Sequence, residues 1–120
     1  MLENKLYIIE HKEEDGENIT FTIRQNKSNE IFKAHFPGNP ITPGACLIEI
    51  ARELCEKHIG KSLKIRFLKS VKFLNIITPI ANEFLKFDIS LSPADDNAFD
   101  AKILIIADEN VYTKINFKLA

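Results

Sequence analysis

Hydrophobic and polar positions follow two different periods along the chain. The first apolar run, Leu6-Tyr7-Ile8-Ile9, is short and predicts a strand. The acidic, Gly-containing stretch Glu13-Glu14-Asp15-Gly16-Glu17 then reads as a turn. Ile19, Phe21 and Ile23 alternate with Thr20, Thr22 and Arg24, the period-2 pattern of a half-buried strand. After a Gly- and Pro-rich loop from Phe36 to Gly44, the run Ala45-Cys46-Leu47-Ile48-Glu49-Ile50-Ala51 is apolar almost all round, as in a buried helix. Thr42 can cap that helix and Pro43 suits its first turn, where a missing N–H costs nothing. Leu54 and Cys55 extend it, and Gly60 stops it after Lys57 and His58, bases that favour a helix C-terminus.

The remainder predicts strands. Ile65–Ile77 is rich in β-branched and aromatic residues, with Val71, Phe73 and Asn75 read on one face. Phe84–Leu91 alternates, Ser92–Asn97 is a turn, and Phe99–Ala107 and Val111–Leu119 are two further strands. Two strands, one buried helix and about four more strands imply an α+β fold, an antiparallel β-sheet curled around a single α-helix.

Composition narrows the class. At 120 residues, 45% hydrophobic and 28% charged, the chain fits one globular domain spanning residues 1–120. No apolar run reaches the roughly 18–20 residues of a membrane helix, and Met1–Lys5 shows no signal-peptide pattern, so a cytoplasmic location and no membrane partner are expected. Cys46 and Cys55 are too few for a disulfide framework or a CxxC metal site. Nine positions apart on a helix, they point to opposite sides and read as core filler. His11 and His58 read as ordinary exposed residues. The net charge of −1 gives no sign of nucleic-acid binding, but it conceals an uneven distribution. Residues 1–17 hold Glu3, Glu10, Glu13, Glu14, Asp15 and Glu17; residues 57–82 hold no acid but carry Lys57, Lys61, Lys64, Arg66, Lys69 and Lys72. That basic run is either a solvated face or a docking patch for an acidic partner.

The chemistry concentrates between His35 and Glu49. Three prolines and two glycines fall in residues 37–44, a loop with little conformational freedom to lose and thus a rigid platform for a histidine. It runs into a helix N-terminus, whose unpaired N–H groups and positive dipole end favour a developing negative charge. Gly44 permits close backbone approach by a substrate. Glu49 has only apolar sequence neighbours. Inside a buried helix, desolvation would keep part of its population protonated near neutrality, as suits a general acid. Against this stand two plain readings: His35 as an anchor of a Pro-rich loop, and Glu49 as the i,i+3 partner of Arg52.

His35-Phe36-Pro37-Gly38, Pro40, Pro43-Gly44 and Glu49 together resemble the signature of the β-hydroxyacyl-acyl-carrier-protein dehydratases, with fourteen positions from His35 to Glu49 (49 − 35 = 14). Val71-Lys72-Phe73…Thr78-Pro79 resembles the family's strand ending in Pro. The resemblance covers the chain from about Ile19 onward. It departs at Asn39, where the family often has a second His, at Thr42, where it has an apolar residue, in the polar Ala51-Arg52-Glu53 continuation, and at Pro79-Ile80-Ala81. The family's usual N-terminal helix is also expected to be missing.

The resemblance implies a hotdog fold, at least a homodimer or a higher oligomer of dimers, and sites at the dimer interface where His35 of one subunit faces Glu49 of the other. It implies dehydration of a (3R)-3-hydroxyacyl thioester to the trans-2-enoyl thioester, in fatty-acid or related polyene or pigment biosynthesis. The substrate would be held by phosphopantetheine on an acyl carrier protein. His35 would take the C2 proton and Glu49 would protonate the leaving hydroxyl. Gly44 and Ala45 N–H groups would polarise the carbonyl, while Phe36, Pro37, Gly38 and Pro43 position the loop. No cofactor and no metal is implied. Lys61, Lys64, Arg66, Lys69 and Lys72 become candidates for carrier-protein docking. A hotdog acyl thioesterase and a non-catalytic carrier-binding subunit are the alternatives.

Overall fold

The computed structural model describes residues 1–34 and 36–120. Strands β1 (Tyr7–Asp15) and β2 (Asn18–Gln25) are followed by a single helical turn, α1 (Ile31–Ala34), and by the long helix α2 (Gly44–Ile59). Strands β3 (Ile65–Phe73), β4 (Phe84–Pro93), β5 (Phe99–Ala107) and β6 (Asn110–Leu119) complete the order. All pairings are antiparallel in one sheet of order β1-β2-β4-β5-β6-β3. This is the expected α+β architecture. β1 and β3, the acidic and the basic segments, are its two edges, so the near-zero net charge separates across the width of the sheet.

The alternation seen in the sequence decides which face is buried. Ile19, Phe21 and Ile23 of β2 and Leu85, Phe87 and Ile89 of β4 point into the core, as do Ile103 and Ile105 of β5 and Ile115 and Phe117 of β6. Leu47, Ile50, Ala51, Leu54 and Cys55 of α2 join the same cluster. Each large side chain so buried contributes about 1.5–3 kcal/mol before conformational entropy is counted. Helix α2 ends as expected at Gly60, in the left-handed conformation (φ 83°), with its N–H donated to Glu56 O at 2.8 Å.

Several boundaries differ from the sequence reading. The acidic stretch is mostly strand: β1 runs to Asp15, and Asp15 pairs with Asn18 across a two-residue turn of Gly16 (φ 62°) and Glu17. The hairpin ladder outweighs the low strand propensity of the acids, and the turn needs only the one glycine. The strand read over Ile65–Ile77 stops at Phe73. Val71 and Phe73 share the core-facing register of Ile115 and Thr113, but Leu74 and Asn75 both donate to Tyr112 O and the chain turns away before Asn75 can join them. His58 is half-buried rather than exposed, with Nδ1 3.7 Å from Glu14 of β1. Among the described residues no helix is long and apolar enough to cross a membrane.

Candidate active site

The Pro/Gly loop and the start of α2 carry the candidate site residues. His35 lies outside the described residues. Its neighbour Phe36 sits at φ 70°, a left-handed conformation that costs a non-glycine residue free energy and that clusters at functional sites. Phe36 O accepts the N–H of Asn39 at 2.9 Å, closing a tight turn over Pro37 and Gly38. Pro37 presets its own φ and Gly38 supplies φ 83°, the residue pair of a type II turn.

The helix start differs from the expected cap. Pro43 is the N-cap and provides no side-chain hydrogen bond; Gly44 is the first helical residue. Thr42 does not cap, because its buried hydroxyl donates instead to Gln25 Oε1 at 2.5 Å. Cys46 and Leu47 N–H groups reach Pro43 O, which leaves those of Gly44 and Ala45 as the first-turn donors with no carbonyl a turn behind them.

Beside this helix end lies a cavity of about 590 Å³, lined by Ile41, Thr42, Gly44 and Leu47 on one wall and by Phe73 to Ile77 on the other. The group that comes close to Gly44 is the Phe73 ring. A Cβ on Gly44 would lie 2.5 Å from Phe73 Cζ.

Glu49 is not embedded as the sequence suggested. It is half-exposed, and Arg52 grips its carboxylate with Nε and Nη2, the i,i+3 pairing. Arg52 also donates to Glu56 (2.8 Å) and to Leu63 O (2.7 Å). Only the stripe facing the sheet is buried, so an apolar run in sequence did not make this carboxylate internal. At about 100° per residue, Glu49 lies roughly 140–160° around the helix from Gly44 and Leu47, the residues that line the cavity. Its stripe, Ala45, Glu49, Arg52 and Glu56, faces away from the cavity of its own chain.

The buried acid of α2 is Glu53, which the sequence reading passed over. It accepts Leu2 N–H (2.7 Å), Glu3 N–H (3.0 Å) and the Tyr7 hydroxyl (3.0 Å). Burial, with the Glu53 charge adding to it, raises the Tyr7 hydroxyl pKa. The polar Ala51-Arg52-Glu53 stretch was the available signal, but period alone does not say which of two adjacent polar residues turns inward. Cys55 is core filler as expected, while Cys46 is half-buried against the core: burial raises the Cys46 thiol pKa and pushes that of Cys55 up to about 12, away from nucleophilic thiolate.

The expected docking residues are spread along one edge. Lys61 lies over the Phe99 ring, Lys64 is held by backbone bonds to Ala120, and Lys69 pairs with Asp100 at 2.9 Å. Lys72 stands opposite Lys114 on β6, and Arg66 is exposed on β3. The register adds three lysines that sequence distance hid. Lys102, Lys114 and Lys118 occupy the outward face of β5 and β6 beside β3, with Asp100 between them. Lys69, then Lys118 and Lys102, hold the Asp100 carboxyl below its ordinary range.

Comparison with known proteins places this arrangement. A family model for ApeI-like proteins, described as ApeI dehydratase, matches residues 10–114. The chain belongs to the ApeI-like dehydratase family. This ApeI-like chain is 32% identical over 89 residues to the 3-hydroxyacyl-[acyl-carrier-protein] dehydratase FabZ of Lactobacillus helveticus, a match covering 68% of the chain and 59% of that enzyme. It is 29% identical over 100 residues to the FabZ of Oenococcus oeni, covering 78% of the chain and 70% of the relative. The chain thus spans little more than half the length of the first of these curated relatives. Among solved structures, the dehydratase heterocomplex ApeI:P from Xenorhabdus doucetiae superposes with a TM-score of 0.69 at 15% identity, over 94% of this chain and 96% of that one. That likeness shows the fold, the hotdog arrangement of sheet and central helix.

Proposed function

We propose that the protein dehydrates (3R)-3-hydroxyacyl thioesters to trans-2-enoyl thioesters on an acyl carrier protein, with each site built from two copies of the chain. The observation that carries the reading is the placement of Glu49. The cavity, the Gly44 and Ala45 donors and the histidine loop belong to one end of α2, while Glu49 faces away from that cavity toward solvent. A second copy across this face would use the exposed carboxylate. Exposed Phe67, Phe73, Leu74 and Ile76, on edge strand β3 and the segment after it, supply the apolar surface for such a contact.

In this reaction the C2 proton is weakly acidic until the thioester carbonyl is polarised. Gly44 and Ala45 N–H groups, aided by the dipole of a sixteen-residue helix, serve as the donors. Neutral His35 takes the C2 proton, and Glu49 of the other copy, desolvated and thereby protonated once the two copies close over it, gives its proton to the C3 hydroxyl as it departs. The electron pair of the C–H bond becomes the C2–C3 double bond, and water leaves. Phe36, Pro37, Gly38 and Pro43 hold the loop. The carrier protein docks on the basic residues at and just before β3, Lys61, Lys64, Arg66, Lys69 and Lys72, joined by Lys102, Lys114 and Lys118, on the outward sheet face that the second copy leaves open, and its phosphopantetheine arm reaches the cavity past that strand. A place in fatty-acid or related polyene or pigment biosynthesis, in the cytoplasm, belongs to the same proposal.

The test is incubation with 3-hydroxyacyl carrier-protein substrates while following enoyl product and free thiol. Enoyl product is expected. Free thiol alone would indicate a thioesterase, and neither product a carrier-binding subunit; each outcome overturns the proposal.

A further inference from the structure

Behind the cavity lies a chain of buried polar groups that the reaction does not itself require. Gln25, at the end of β2, is 2% exposed; Thr42, two residues before Gly44, is 3% exposed; Asn82 is 6% exposed. The Thr42 hydroxyl donates to Gln25 Oε1 at 2.5 Å. The amide nitrogen of Gln25 donates to Asn82 O at 2.8 Å and to Thr78 O at 3.4 Å. Thr78 N–H in turn donates to Asn82 Oδ1 at 3.1 Å, and Thr42 N–H to Ile77 O at 2.8 Å. Carbonyl oxygens only accept, so Nε2 must face Asn82 and Thr78, and Oε1 is left to receive the hydroxyl. The network has one orientation.

Its geometry spans the site. Thr42 belongs to the loop wall of the cavity, and Ile77 to the opposite wall. Gln25 is fixed in the sheet by its pairing with Tyr7 and by its N–H bond to Glu83 O at 2.8 Å. A rigid strand end therefore holds Thr42, the residue before the Pro43 N-cap, and, through Thr78 and Asn82, the turn that continues the other wall. Thr42 brings a hydroxyl into this buried position. Such a hydroxyl costs free energy in a core unless bonded, and Gln25 satisfies it.

We infer that Gln25 is a positioning residue for the proposed dehydration, acting through Thr42 to set the place of the Gly44 and Ala45 N–H groups against the far wall of the cavity. The inference rests on the function proposed above. Displacement of reacting groups by about 1 Å costs on the order of 100-fold in rate.

The experiment measures steady-state dehydration of a 3-hydroxyacyl carrier-protein substrate, with a thermal melt for each protein. Wild type is compared with Thr42→Ser, Thr42→Val, Gln25→Leu and the double variant Gln25→Leu/Thr42→Val. Thr42→Ser keeps the donor and is expected to keep kcat. Thr42→Val and Gln25→Leu are expected to lower kcat by roughly 10- to 100-fold with a smaller change in KM. The double variant removes the hydroxyl that Gln25→Leu alone leaves buried without an acceptor, so it is expected to recover melting temperature relative to Gln25→Leu but not kcat. Stability regained without rate is what a purely structural role would not produce. Unchanged kcat in both single variants, or recovery of kcat together with melting temperature in the double variant, overturns the inference while leaving the proposed function standing. A wild-type protein that forms no enoyl product overturns both.

Discussion

The ring of Phe73 lies directly over Gly44, so close that a Cβ on that glycine would sit 2.5 Å from Cζ. The first residue of α2 and the last of β3 are twenty-nine positions apart in sequence (73 − 44 = 29), yet both line the cavity.

Gly44→Ala should separate stability from turnover. The obstructing atom is the far end of a half-exposed ring, which can swing aside. Alanine also favours the helical state by up to about 1 kcal/mol over glycine. Global stability in urea is expected to change by less than about 1 kcal/mol. A methyl group beside the Gly44 N–H blocks the carbonyl, so kcat/KM is expected to fall at least tenfold. A large loss of stability with unimpaired turnover would contradict this account.

The two-copy site predicts complementation. His35→Ala and Glu49→Gln homo-oligomers should each lose dehydration by about 100-fold or more, the usual worth of a general acid or base. Mixed under conditions that exchange subunits, they should regain activity, because one site of a mixed dimer keeps both native groups. No recovery despite mass-spectrometric proof of exchange would place both groups in one chain's site.

Alkali should destabilise the fold through Tyr7 and Cys55. Burial raises the folded-state pKa of both, Cys55 to about 12 from 9.0 and Tyr7 from 10.0. The unfolded chain therefore loses these protons first, and stability falls as pH rises, beginning near pH 9 for Cys55 and near pH 10 for Tyr7. Each contributes at most about 1.4 kcal/mol per pH unit between its unfolded and folded values. Tyr7→Phe should cost about 1.5–3 kcal/mol at pH 8, the worth of a hydrogen bond to a charged group, and should flatten the decline above pH 10. Parallel stability–pH curves for the two proteins would contradict the Tyr7 assignment.

Glu53→Gln should weaken the attachment of the N-terminal segment to α2. The amide can accept the Leu2 and Glu3 N–H groups at only one oxygen, and the bonds lose their charge assistance. A loss of about 1–3 kcal/mol is expected by denaturant titration. Dehydration per folded molecule should stay unchanged, since Glu53 lies away from the cavity.

Carrier docking should depend on charge at the β3 edge. Lys114→Glu and Lys72→Glu place an acid in the lysine cluster and are expected to raise KM for carrier-linked substrate severalfold, with the effect shrinking as salt is added. Turnover of a short pantetheine thioester should stay unchanged. Equal loss on both substrates would mean that the cavity, rather than docking, had been disturbed.

Much of this protein was legible along the chain. Alternation of apolar residues in β2, β4, β5 and β6 selected the buried face, because side chains on a strand alternate whatever the partner strand is. Gly60 marked the end of α2 because a left-handed C-cap favours a residue without Cβ. The His35–Glu49 pattern pointed to a dehydratase, and the family match over residues 10–114 agrees. Tertiary structure decided what depends on neighbours far apart in sequence. A helix's period does not reveal which stripe the sheet covers, so the apolar run points to a buried Glu49, whereas the fold buries Glu53. Propensity does not count ladder bonds, so the acids Glu13, Glu14 and Asp15 predict a turn where the hairpin makes a strand. Thr42 carries an N-cap side chain, but a buried acceptor seventeen positions upstream competes for its hydroxyl and wins, since a desolvated amide left unbonded costs more than a cap that Pro43 can occupy instead. Local sequence dictates conformation, while the choice among partners belongs to the assembled fold.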